Sequence, residues 1–287
     1  MSFRTIVITK RAKLSYSNHY LLIRNEDLKK IHLSEVGMII VDSLQVSITT
    51  YLIMELSKRN IKVIYCDTEH NPISEVIPYY GSHNTSKKIG LQSKWKQVEK
   101  DYVWKKIIEQ KIYNQAQVLK INNRVEEEQL QYYISEVNAG DTTNREGHAA
   151  KIYFNSLFGV DFTRKIKNDT NAALDYGYSI LMSSFNKEIV RLGHITQIGI
   201  HHRNEFNSFN LSSDLMEPFR PIIDKYVISH EDLFDTEYKY QLVNLLNQKF
   251  LFADKQYYLK DIIRIYTKKM LDALNESDLS KTVEFLL

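Results

Sequence analysis

Three segments of the chain are dense in carboxylate, imidazole, amide and guanidinium groups. They are Asn144-Arg145-Glu146-Gly147-His148, His201-His202-Arg203-Asn204-Glu205-Phe206-Asn207, and Asp214-Leu215-Met216-Glu217-Pro218-Phe219-Arg220-Pro221. Each sets a carboxylate or an imidazole beside an arginine at a point where a helix can begin or end. A hard divalent cation takes oxygen ligands and tolerates one imidazole, and a phosphate held next to it is matched by guanidinium forks. Brought together, the three segments would build one metal and phosphate site. Asp214 and Glu217, three residues apart, fall on one helix face, where they either share a cation or cap a first turn and complement the helix dipole. Glu146, just after Asn144, carries the same two readings. His202 stands among His201, Arg203, Asn204 and Asn207, a polar set unlike a core strip. His148 lies two positions from Glu146, cannot share its helix face, and reads as structural.

Around these segments the periodicity changes once along the chain. Residues 4–9, 13–16 and 19–23 alternate as strands, with Ser17-Asn18 as a hairpin turn, and residues 36–41 form a short buried strand. Positions 47–60 carry apolar residues at helical spacing, and residues 61–66 return to strand. Residues 1–80 therefore read as a β-rich domain with one helix. Residues 81–90 open with the polar, turn-rich run Gly81-Ser82-His83-Asn84-Thr85-Ser86 and read as a linker. From residue 91 to 287 the pattern is that of an all-α domain, which makes the fold class α+β. Its helices are predicted over 93–119, 144–158 with Asn144 as N-cap, and 171–191 ending at Gly193. Another is capped by Ser212 or Ser213, and tail helices cover 232–250 and 259–274. No period of 20–50 residues recurs, which excludes a solenoid.

Composition removes several classes. At 43% hydrophobic and 25% charged residues the chain is ordinary globular protein, long enough for one large or two unequal domains. No apolar run approaches the ~18–20 residues of a membrane span, and the start lacks a signal-peptide pattern, so a cytoplasmic location is expected. The single cysteine, Cys66, excludes an internal disulfide and a cysteine-based zinc cluster. There is no phosphate loop, dinucleotide fingerprint or nucleophile elbow. A net charge of +3 is too small to imply nucleic-acid binding by itself, so the argument falls to local clusters such as Lys10-Arg11 with Lys13, Lys87-Lys88, Lys105-Lys106, Arg164-Lys165 and Lys268-Lys269. Each is either a solvated face or a wall for a phosphate backbone.

With these residues laid out, the sequence resembles the CRISPR-associated adaptation integrase (Cas1) endonuclease family, most closely its type II-A branch. The matching stretches are 144–150 with Tyr153-Phe154, 171–178 ending in Asp175-Tyr176-Gly177-Tyr178, 199–204, and 214–221. Arg4 to Ile8 and Lys13 to Tyr16 match the family's start. The resemblance implies a β-rich N-terminal dimerisation domain, a helical catalytic domain, and metal ligands at Glu146, His202 and Glu217 with Asp214 as auxiliary acid. It implies Mg²⁺ or Mn²⁺, double-stranded DNA as substrate, a homodimer, and a heterohexamer with the small Cas2 protein, together with other type II-A adaptation proteins. Arg145 and Arg220 are candidate phosphate clamps, and Lys87, Lys88, Arg164 and Lys165 candidate backbone contacts. The other readings are an idle DNA-binding scaffold of the same complex and a small-phosphate metallohydrolase.

Overall fold

The computed structural model describes residues 4–78, 82–230 and 233–287, in two compact units, Met1–Gly81 and Ser82–Leu287. The first unit is built from strands β1 (Arg4–Ile8), β2 (Ala12–Ser17), β3 (Tyr20–Arg24), β4 (Leu28–His32), β5 (Val36–Val41) and β6 (Val46–Ile48). Helix α1 (Thr50–Lys58) and strands β7 (Lys62–Cys66) and β8 (Pro72–Glu75) complete it. One sheet has the order β1-β5-β7-β8, parallel except for β8, and the other the order β4-β3-β2-β6. Their inner faces and α1 enclose a core that includes Leu14, Leu21, Ile39, Leu52, Leu56 and Val63. The first hairpin turns on Asn18 and His19, both at positive φ, one residue beyond the predicted position. Two left-handed residues in a row match the right-handed twist of paired strands, and asparagine tolerates that conformation.

The second unit is helical: α2 (Thr85–Gln92), α3 (Gln97–Ile121), α4 (Glu127–Glu136), α5 (Arg145–Phe158), α6 (Asp169–Arg191), α7 (Asn210–Met216), α8 (Arg220–Ile228), α9 (Thr236–Asn244) and α10 (Leu259–Asn275). Two long central helices organise it. Helix α3 packs against α4, α5, α8 and the 3₁₀ turn Glu217–Phe219, and α6 packs against α7, α8, α9 and α10. On α3 the residues Val103, Trp104, Ile107, Ile108, Lys111, Ile112, Gln115 and Ala116 are buried, so one lysine stands inside an apolar stripe.

Three expectations require correction. The 81–90 linker is helical from Thr85 onward, which places Lys87 and Lys88 on α2. Its polar residues close the helix start, where Thr85 Oγ1 donates to the Ser82 carbonyl at 2.9 Å. Residues 79–81 lie outside the described residues. The helical unit is not purely α. Strands β9 (Lys249–Phe252) and β10 (Lys255–Tyr258) pair around Ala253 and Asp254, both at positive φ, taking up the last two residues of the helix predicted over 232–250 and the stretch after it. That helix was predicted to begin at Asp232, outside the described residues, and α9 begins at Thr236. Finally, neither Ser212 nor Ser213 caps a helix. Ser212 is buried inside α7 and donates to Asn186.

Candidate functional site

Glu146 is set by the loop before α5. Asp141 Oδ1 accepts from the backbone N–H of Arg145 at 2.8 Å and Oδ2 from that of Glu146 at 3.0 Å, so a buried acid fixes the first turn. Asn144 adopts a left-handed conformation and caps the helix by accepting from Gly147 N–H at 3.3 Å. A Cβ on residue 147 would lie 2.7 Å from the Asn144 side-chain oxygen, which explains the glycine.

Glu217 opens the 3₁₀ turn between α7 and α8. Asn114 of α3 donates to the Pro218 carbonyl at 2.8 Å, and Phe219 stacks on Phe285 with ring centroids 4.3 Å apart. One turn earlier on α3, the Lys111 ammonium lies 2.6 Å from Glu146 Oε1 and 2.6 Å from Glu217 Oε2. The other Glu217 oxygen accepts from Arg220 Nε at 2.8 Å. Burial works to raise the Glu217 pKa, but Arg220 and Lys111 outweigh it and hold the carboxyl below its ordinary range. Burial likewise pulls the Lys111 pKa down, and Glu217 and Glu146 more than restore it, so the ammonium stays charged.

His202 sits at the end of a tight loop gathered around Asp214. One oxygen of this fully buried carboxylate accepts from the backbone N–H groups of Ile200 and His201, at 2.6 and 2.9 Å. The other accepts from His202 N–H at 3.1 Å and from His202 Nδ1 at 2.5 Å. Four donors occupy the acceptor positions of Asp214, so it holds the histidine and has no oxygen left for a cation. Its partners lie in the loop and not in its own helix, which also rules out the capping reading. Gly199 is required here, since a Cβ would lie 2.6 Å from the His202 carbonyl oxygen and 2.7 Å from Asp214 Oδ2. Tying up Nδ1 leaves Nε2 as the nitrogen open to a cation. The Asp214 hydrogen bond raises the His202 pKa against burial, with further attraction from Asp214, Glu217 and Glu146. His201 plays a different part: its ring stacks on Trp104 at 4.3 Å, nearly parallel, while His202 meets the same indole edge-on at 5.7 Å.

Glu146 and Glu217 thus meet at Lys111, with Arg220 against Glu217, and His202 lies near enough to feel the charge of both carboxylates. Arg164 and Arg220 both lie over the Tyr178 ring, at 5.4 and 4.7 Å, and Arg164 is also clasped by Asn171 and Asp175. Tyr178 and Tyr153 both donate to buried Asp224, whose carboxyl burial pushes up to about 6. Arg145 is engaged elsewhere, by Glu136 at 3.1 Å and by the Tyr133 ring. His148 is exposed at the start of α5. Lys87 and Lys165 are exposed and Lys88 half-buried, and none of the three joins the hydrogen-bond network of the site. Sequence reasoning missed Lys111, whose signal is a charged residue on the apolar stripe of α3. It also missed Lys100, which neighbours Asp214 together with Arg203, the latter held by Gln97.

Two carboxylates and an imidazole are the right donors for Mg²⁺ or Mn²⁺, and the carboxylates already converge on one cation. That cation is Lys111: among the described residues no three His, Cys, Asp or Glu side chains are placed to hold a metal as they stand. Glu217 Oε2 is in direct ionic contact with the ammonium. The donor chemistry of these three side chains fits a divalent ion.

The sequence model of the family described as CRISPR associated protein Cas1 matches residues 5–232. The chain belongs to the Cas1 family. A CRISPR-associated endonuclease Cas1 from Neisseria meningitidis serogroup C (strain 8013) is 36% identical over 230 residues, covering 79% of this chain and 76% of the relative. One from Francisella tularensis subsp. novicida (strain U112) is 24% identical over 279 residues, covering 85% and 87%. Among solved structures, a casposase bound to integration product superposes with a TM-score of 0.78 at 20% identity, covering 97% of this chain and 92% of that one. A Cas1 protein from Thermotoga maritima gives 0.77 at 19% identity, covering 94% and 97%. These likenesses establish the Cas1 fold, β-rich first and helical after. Among the described residues no helix is long and apolar enough to cross a membrane.

Proposed function

We propose that this Cas1 chain is a divalent-metal-dependent DNA integrase and endonuclease of CRISPR adaptation. The observation that carries the reading is the convergence of Glu146 and Glu217, from different elements, on a single cation beside the Asp214-anchored His202. Glu146, Glu217 and His202 Nε2 would hold Mg²⁺ or Mn²⁺, the imidazole favouring Mn²⁺. When bound, that ion lowers the pKa of an attacking hydroxyl and offsets charge at phosphorus. Arg220, kept against Glu217 and the Tyr178 face, supplies a guanidinium to the phosphate, with Arg164 behind it and Lys100 and Arg203 on the histidine side. In the reaction, a 3′-oxygen of the incoming fragment forms a bond to a backbone phosphorus at the repeat boundary. The phosphorus–oxygen bond to the leaving 3′-oxygen breaks, and that oxygen takes up a proton. Water in place of the 3′-hydroxyl gives hydrolysis.

The site engages double-stranded DNA, and the assembly is a homodimer joined to Cas2 in a heterohexamer. In support, a Cas6-RT-Cas1–Cas2 complex superposes with a TM-score of 0.76 at 20% identity, covering 99% of this chain and 36% of that one. Dimerisation through the first unit is supported by its open sheet edges and by the exposed Ile73 on edge strand β8. A strand-transfer assay with a short duplex and a repeat-containing plasmid tests the function, run with Mn²⁺ or with chelator and with or without Cas2. Joined product that needs both metal and Glu217 is expected. Joining that survives chelation would refute the reading.

A further inference from the structure

The same reading of the site leads to a specific role for Lys111. Its side chain is only 9% exposed, on the inner stripe of α3 between Ile107, Ile108 and Ile112. An isolated ammonium in such surroundings is strongly disfavoured, and two facing carboxylates without a cation are disfavoured for the same reason. Lys111 and Arg220 against Glu146 and Glu217 make two positive and two negative groups, so this part of the site is charge-balanced with no metal. A divalent ion placed between the carboxylates with the ammonium retained would set four positive charges against two negative ones in a desolvated pocket. Displacing the ammonium removes that repulsion and frees the oxygen atoms it now touches. Lysine suits the exchange because its charge sits on a flexible four-carbon stem.

We propose that Lys111 is an internal counter-cation that holds Glu146 and Glu217 in position and must be displaced when a divalent metal ion loads the site. Lys111 is thus a positioning residue that opposes metal binding, which a residue supporting only the fold would not do. It also keeps the carboxylates converged while the site waits for metal.

The test is a Mn²⁺ titration of the full-length protein and Lys111→Met, reading free Mn²⁺ by its electron paramagnetic resonance signal, with melting curves alongside. Lys111→Met should bind Mn²⁺ on the order of ten- to a hundredfold more tightly, because a charge-assisted contact no longer has to be broken. Metal-free, it should melt below the parent, and Mn²⁺ should recover that loss. Lys111→Arg, which keeps the charge in a rigid fork matched to carboxylates, covers the case in which the methionine variant does not fold. It should bind Mn²⁺ about tenfold more weakly than the parent. Unchanged or weaker affinity in a folded Lys111→Met, or parental affinity in Lys111→Arg, overturns the inference and leaves the metal site standing. No Mn²⁺ binding by the parent or by either variant overturns both.

Discussion

Asp214 and Glu217 lie one helical turn apart, and both carboxylates are buried, yet they sit in opposite situations. Asp214 is saturated: four donors from the loop that carries His202 close around it, two on each oxygen. Glu217 is poised between two cations: one oxygen is gripped by Arg220, and the other lies against the Lys111 ammonium. The first arrangement is rigid and finished, and serves to aim an imidazole. The second pairs charge with charge, which is the arrangement that the proposed metal would enter. Burial alone does not distinguish a structural acid from a catalytic one. The number and kind of donors do.

The largest effect expected from breaking the poised side is on catalysis. Glu146→Gln or His202→Ala should lower metal-dependent strand transfer by several kcal/mol in the barrier, on the order of a thousandfold, measured as the single-turnover rate at saturating Mn²⁺. Near-parental rates in either variant would remove that residue from the ligand set.

Breaking the finished side should register first in stability. Asp214→Asn turns an amide N–H₂ toward backbone donors and should cost about 2–4 kcal/mol of folding free energy by denaturant melts, with strand transfer falling as His202 loses its anchor. This is harsher than an auxiliary acid at the edge of a metal site would suffer. An Asp214→Asn protein of parental stability would show the loop to be held by something else.

The Asp224 group, reached from Glu217 through Arg220 and Tyr178, sharpens the comparison by pH. Its carboxyl is raised from 3.8 to about 6, so between those values the folded chain binds more protons than the unfolded one and stability falls as pH rises. Asp224→Asn removes that dependence. Relative to the parent it should gain about 2 kcal/mol between pH 4 and pH 7, measured by denaturant melts at both values. A difference that is flat with pH would contradict the assignment.

Smaller effects separate the two histidines and the peripheral cations. His201→Ala removes a stack on Trp104 and should cost about 1 kcal/mol while leaving strand transfer within a few fold. Lys87→Ala and Lys165→Ala, exposed and outside the site network, should each lower the log–log salt slope of DNA binding by about one unit if they meet a phosphate. Arg164 is a poorer probe, because it also ties Asn171 and Asp175 at the start of α6.

The part of the site readable in the sequence is the part written in local spacing. Asn144 before Glu146 announces a capped first turn, and Gly199 to His202 followed by Asp214 and Glu217 announces a polar loop feeding a helix. The assignment of partners was not readable, since it depends on which elements meet. The three-residue spacing of Asp214 and Glu217 is equally compatible with a shared cation and with the divergent roles observed. Lys111 was hidden for the opposite reason: on a helix rich in lysine it looks like one more solvated charge until its position among Ile107, Ile108 and Ile112 is plotted. The helix predicted over 232–250 overruns into β9 at Lys249 and Phe250, where a strand of 4 residues is too short to show against the surrounding helical pattern.

The most direct test of the metal-site account is a paired measurement on Glu217→Gln, in complex with Cas2: DNA affinity against salt, and Mn²⁺-dependent strand transfer. The substitution keeps the shape of the side chain and removes one negative charge from a site that faces phosphate. Affinity should hold or rise slightly, and strand transfer should disappear. Loss of DNA binding in a folded Glu217→Gln protein, or strand transfer at the parental rate, would contradict the assignment of Glu217 to the metal.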